Sequence, residues 1–160
     1  MKKETVKVQL DNCRLHIKPP EFASIADEFN TNRLTIQSYF QPSNSPDTNV
    51  LDLGIFNAIQ IKYYSNPPQN FGELVEAVER AYDELEPEKI NQCFLSLQGC
   101  MNEIIDSEGG NTYSIPHMNK AKMSRDGTLP ASIPVTANVK KWLEQTEQNE
   151  TENTLTNTEL

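Results

Sequence analysis

Val6-Lys7-Val8-Gln9-Leu10-Asp11-Asn12-Cys13-Arg14-Leu15-His16 is the stretch from which the rest of the chain is read. Valine and leucine alternate with polar neighbours over residues 5–10, the period of a half-buried strand. Asp11-Asn12 follows at once, as a polar pair that opens a loop. A second acidic stretch, Asn44-Ser45-Pro46-Asp47-Thr48-Asn49-Val50-Leu51-Asp52, contains a turn and stands directly before an amphipathic helical pattern. Forty residues separate Asp11 from Asp52. Two carboxylates at the tips of neighbouring elements can share a divalent metal ion.

Between and beyond these motifs the periodicity defines the remaining elements. Pro19-Pro20 breaks the chain and starts a helix over about 21–30. Leu34–Phe40 predicts a second strand, with Leu34, Ile36 and Ser38 on one face. A helix over about 50–64 places Leu51, Ile55, Ala58, Ile59 and Lys62 together. Asn66-Pro67-Pro68-Gln69 interrupts it. Asn70 then caps a helix to about Leu85, with Glu73 completing an N-x-x-E box, and Phe71, Leu74, Val75, Val78, Ala81, Tyr82 and Leu85 form a continuous apolar stripe. Pro87 opens a helix to about Asp106 on which Ile90, Phe94, Leu97, Met101, Ile104 and Ile105 keep the helical period, and Gly109-Gly110 ends it. Residues 111–143 are punctuated by Pro116, Pro130 and Pro134, with a short helix near 136–144 around Trp142.

Strand, helix, strand, helix, helix, helix is the order of an α/β unit with parallel strands. Two strands are too few, because a parallel pair must be covered on both faces and is rarely a whole sheet. The pattern is therefore that of the back half of a larger α/β domain.

With 160 residues the chain holds one domain. From Glu144 onward there are five Glu and no Lys or Arg, which account for −5 of the net charge of −9. Such a segment cannot bury enough apolar surface to offset its ordering entropy, so residues 131–160 are expected to form a flexible, largely disordered tail beyond a folded 1–130. The acidic balance excludes a basic surface that coats nucleic acid without specificity. It leaves room for a metal-dependent nuclease site. Cys13, Cys93 and Cys100 make no CxxC pair and no ligand spacing, and an odd count without a signal sequence points to free thiols in a reducing compartment. Cys93 and Cys100, seven apart, are expected on one buried face. No apolar run approaches the ~18 residues that would span a membrane.

Taken singly, the acids have ordinary roles. With Asn49 as N-cap, Asp52 is a third-position acid favoured by the positive end of the helix. Asp11 alone is a loop opener, His16 alone a loop histidine, and Asp47 a turn former. Taken together, Asp-Asn-x-x-x-His after a strand and Asn-Ser-Pro-Asp-x-Asn-x-x-Asp opening a helix resemble mariner-like transposases, of the plant-type branch whose three catalytic acids are all aspartates. Leu53-Gly54-Ile55-Phe56-Asn57-Ala58-Ile59-Gln60 is similar to that family's segment after the last aspartate. Phe94-Leu95-Ser96-Leu97-Gln98-Gly99-Cys100-Met101 resembles its penultimate helix. Tyr113-Ser114-Ile115-Pro116-His117-Met118 with Gly127-Thr128-Leu129-Pro130 resembles its C-terminal signature. The likeness covers roughly residues 5–130.

The resemblance implies a partial RNase H-like fold, the C-terminal portion of a DDE-superfamily endonuclease domain. Asp11 and Asp52 would be its second and third acids, both catalytic and both ligands to Mg2+. Asn12 and His16 would orient the site, and Asp47 would keep its turn role. Two magnesium ions about 3.5–4 Å apart would serve DNA cleavage and strand transfer at transposon ends. The partners implied are DNA and a full-length transposase or a second copy of this chain, in the nucleus, with no membrane association. Two features depart from the family. The spacing of forty is one residue more than usual, and nothing before residue 5 supplies the first acid or a DNA-binding region. The chain is therefore expected to be inactive alone. The alternative is a non-catalytic interaction module or relic of a transposase, in which the helices at 70–85 and 87–106 supply a packing surface.

Overall fold

The valine-rich alternation becomes strand β1 (Glu4–Leu10), and Leu34–Phe40 becomes β2. The computed structural model describes residues 4–14, 19–31, 33–64 and 66–156. It divides into two units, Met1–Asn49 and Val50–Leu160. Among the described residues the chain is mixed α/β, with two parallel strands in an open sheet and six α-helices.

In the first unit β1 pairs with β2 in parallel from Glu4↔Leu34 to Leu10↔Phe40. A parallel pair needs a crossover connection, and helix α1 (Pro19–Phe29) provides it, packing on β2 with Ala26 buried. Val6, Val8 and Leu10 share a face with their partners Ile36, Ser38 and Phe40. Val6, Tyr39 and Phe40 stay exposed, as do Ile25 and Phe29 of α1. The outer edge of β2 is partly closed: Asn30 Oδ1 accepts the Ile36 N–H at 2.7 Å. Among the described residues no strand pairs with the outer edge of β1. An open edge of this kind is a template for a further strand.

The second unit begins with a departure from the expected straight helix. Leu51–Ile55 form a turn of π-helix, and only from Phe56 does α2 (Phe56–Tyr64) run regularly. Gly54 is the cause. Its φ of +150° lies outside the helical range, and a Cβ there would stand 3.0 Å from Cys93 Sγ. The turn leaves Leu51 exposed and aims Ile55 and Ile59 into a core with Ala81, Leu85 and Cys93.

Helix α3 (Phe71–Asp83) starts where the N-x-x-E box predicts. Asn70 Oδ1 accepts the Glu73 N–H at 3.0 Å, and the Glu73 carboxylate accepts from Asn70 Nδ2 and from the Gln69 N–H, both at 2.8 Å. Its apolar stripe is not the buried face that the sequence suggests. Only Ala81 in the helix and Leu85 just beyond it are buried, while Phe71, Leu74, Val75, Val78 and Tyr82 face solvent.

Helix α4 (Pro87–Asp106) keeps its expected ends and buries Cys93 and Cys100 on one face as expected, but not the Phe94–Met101 stripe. Cys93, Leu95, Ser96, Gly99 and Cys100 are buried, and Phe94 and Met101 are exposed. Small side chains let neighbours approach closely: Gly54 faces Cys93, and Pro116 lies where a Cβ on Gly99 would be 3.4 Å away. The proline-rich stretch after α4 is bonded along it. Asn91 Nδ2 donates to the Pro130 carbonyl at 2.9 Å, Asn102 Nδ2 to that of Pro134 at 3.2 Å, and Gln98 Oε1 accepts the Ile133 N–H at 2.8 Å. Thr136 donates to Asp106 at 2.8 Å. A short helix that the sequence did not announce, α5 (Lys120–Arg125), interrupts this stretch.

Ordered contacts to α4 continue through Thr136, and α6 (Ala137–Thr156) begins there with Val139 buried. Glu, Gln and Lys are good helix formers, so the polar sequence carries the helix on past buried Val139.

Gly54→Ala is expected to lower stability by about 1–3 kcal/mol, because Ala must adopt a strained φ and push against Cys93. The shift in the urea midpoint measures it, and an unchanged midpoint would show that the π-turn is not held by Gly54.

Candidate metal centre

Asp11 stands at the carboxyl end of β1, half-buried, where the chain leaves the sheet. Its Oδ1 accepts the Cys13 N–H at 2.8 Å, an Asx-turn that fixes the carboxylate beside its own loop. The surrounding strand ends are tied together. The Gln41 N–H donates to the Leu10 carbonyl at 2.8 Å, which extends the ladder one step past β2. Asn12 Nδ2 donates to the Gln41 carbonyl at 3.0 Å, Gln9 Nε2 to the Thr48 carbonyl at 2.9 Å, and the Tyr39 hydroxyl to Gln9 Oε1 at 3.2 Å. Asn12 thus clamps the loop that carries Asp11.

Asp47 lies in the 3-10 turn Pro46–Thr48, closed by Thr48 Oγ1 donating to the Ser45 carbonyl at 2.8 Å. Asp52 is exposed in the first turn of the π-helix. The cap differs from the expected one. Val50, not Asn49, is the N-cap residue, and no side chain caps this end. Asp52 therefore sits one position earlier than a capping-box acid, within the turn whose N–H groups give a helix start its partial positive charge. π-Turns of this kind are frequent at functional positions.

Asp11 belongs to the first unit and Asp52 to the second. His16 lies outside the described residues. Among the described residues no three His, Cys, Asp or Glu side chains form a group able to hold a metal ion. The hard oxygen donors at Asp11 and Asp52 suit a hard cation such as Mg2+.

A buried polar group that the sequence motifs do not include lies on α4. Lys120 Nζ hydrogen-bonds Ser96 Oγ, which donates to the Gln92 carbonyl at 3.2 Å. Burial pushes the Cys93 thiol above its ordinary value and pulls the Lys120 ammonium below its own. The Lys120–Ser96 bond pins α5 to α4, and burial keeps the Cys93 thiol protonated although the Lys89 and Lys120 charges act the other way. The group's signal in the sequence is the row of small residues Cys93, Ser96, Gly99 and Cys100 at helical spacing, which marks a close-packed face.

The chain matches no protein-family model, no curated protein and no solved structure. Among the described residues no helix is long and apolar enough to cross a membrane.

Cys13 is exposed, whereas Cys93 and Cys100 are buried, and none of the three is in a disulfide. Iodoacetamide is therefore expected to modify Cys13 alone in the native protein and the other two after denaturation, as read by mass spectrometry. Because the folded-state value of Cys93 is raised, its contribution to stability is full below the ordinary thiol value of 9.0 and is lost as pH climbs through the folded value. Native Cys93 stays unmodified as the pH approaches 9.0; rapid native alkylation there would contradict its burial.

Proposed function

We propose that the chain is the C-terminal part of an RNase H-like catalytic domain of the DDE/D transposase type, acting in metal-dependent DNA strand cleavage and transfer. One observation carries this: Asp11 directly follows the first strand of a parallel β-α-β unit whose outer edge has no partner strand among the described residues, and Asp52 opens the helix that comes after the second strand. In open α/β sheets ligands gather outside the carboxyl ends of the strands.

In this function Asp11 and Asp52 bind Mg2+, Asn12 positions the Asp11 loop through the Gln41 carbonyl, and His16 orients the site. When bound, the metal supplies activation of a water or 3′-hydroxyl and stabilisation of the leaving oxygen. The substrate is DNA at transposon ends, the setting is the nucleus, and the partner is a full-length transposase or a second copy. With two acids the metal is held loosely, so these 160 residues alone leave DNA uncut. A non-catalytic interaction module is the second function to weigh, favoured by the solvent-facing apolar side of α3.

Iron(II) with ascorbate and peroxide, applied to the whole chain, tests the metal site. Backbone cuts are expected beside both Asp11 and Asp52. Either Asp11→Asn or Asp52→Asn should remove both sets, and excess Mg2+ should suppress them. Cuts at neither acid, or at one independently of the other, would sink the assignment. The same preparation is expected to leave terminal-repeat DNA intact in Mg2+; cutting that depends on Asp11 and Asp52 would show that two carboxylates suffice.

A further inference from the structure

The outer face of α3 is an apolar feature of the second unit that its own fold leaves unused. Phe71, Val75, Val78 and Tyr82 recur at spacings of four, three and four residues, with Leu74 alongside, and Phe71 and Tyr82 are 80% and 60% exposed. That spacing is the seam that interdigitates with another helix rather than with a strand. It runs about 16 Å along the helix, three turns.

The rim decides the occupant. At about 100° per residue, Glu79, Asp83 and Glu76 follow one another along the flank of the stripe that is turned away from buried Ala81. All three are exposed, and none forms a salt bridge among the described residues. The helix as a whole carries Glu73, Glu76, Glu79 and Asp83 against the single base Arg80. A second copy docking through the same face would bring like charges together. The chain's own basic stretch, Lys120–Arg125, is held on α4 through Ser96 and covers about 9 Å, too short for the seam.

We propose that α3 is a docking surface for a basic amphipathic helix of a partner protein. The partner's apolar residues lie between Phe71, Val75, Val78 and Tyr82, and its Lys or Arg residues face Glu76, Glu79 and Asp83. The surface is independent of metal binding at Asp11 and Asp52, so it holds whether or not the catalytic assignment does.

Two synthetic helical peptides of about three turns test it against the full chain, both with leucines at the matching spacing, one flanked by lysines and the other by glutamates. Fluorescence anisotropy is expected to show the lysine peptide binding about tenfold more tightly, with the advantage falling as salt rises. Val78→Asp should abolish binding. The surface variant Glu79→Lys/Asp83→Lys, which touches no core residue, should reverse the preference between the two peptides. Equal binding of both peptides, binding unaffected by Val78→Asp, or no reversal in the rim variant would overturn the proposal. So would a dimer in sedimentation that Val78→Asp dissociates, because the face would then belong to a second copy.

Discussion

The parallel pairing of β1 with β2 is the constraint on which the first unit depends. Parallel strands cannot be joined by a tight turn, so the chain must spend α1 on the crossover and return to start β2 beside the beginning of β1. Both strands then finish at the same end of the sheet. The Asp11 loop and the Ser45–Thr48 turn emerge there together, and the hydrogen bonds of Gln9, Asn12 and Gln41 hold that end in place. The same pairing satisfies only one edge of β1. Its other edge and the exposed Val6, Tyr39 and Phe40 are what a parallel sheet normally covers with further elements.

The second unit is organised differently, around α4 as a post. Leu95 and Cys100 have no exposed surface, and the small residues beside them let backbone come close on more than one side. The irregular stretch after α4 has few backbone partners of its own. Asn91, Gln98, Asn102 and Asp106 provide side-chain partners along it, which is how a proline-rich segment without a ladder is kept ordered. Removing the Cβ at Gly54 is the local concession that seats α2 against the same post.

Much of this was legible in local sequence chemistry. The strand alternation, the Asn70/Glu73 cap, and Pro87 at the head of α4 all depend on neighbours within a few residues, and they appear where the pattern puts them. What was not legible depends on who packs against whom. On α4 the seven-residue spacing of Cys93 and Cys100 correctly marked a buried face, whereas the helical period gave no sign that Phe94 and Met101 stay exposed, because that depends on residues far along the chain. The same holds for α3, whose apolar stripe is real but unmatched within its unit. Gly54 could have been read as a break, but its positive φ follows from the approach of Cys93 rather than from the local sequence. Asp11 directly follows β1, as the strand alternation predicts. The cap shifted from Asn49 to Val50, because Asn49 is drawn into a buried position instead of standing at a free helix end.

The central claim is that Asp11 and Asp52 act as one metal site. Mn2+ affinity measured by calorimetry for the native chain, Asp11→Asn, Asp52→Asn and the double variant tests it most directly. Shared ligation predicts weak binding in the native chain that either single substitution removes as completely as both together, a strongly non-additive cycle. Additive losses, or binding that neither substitution changes, would contradict it.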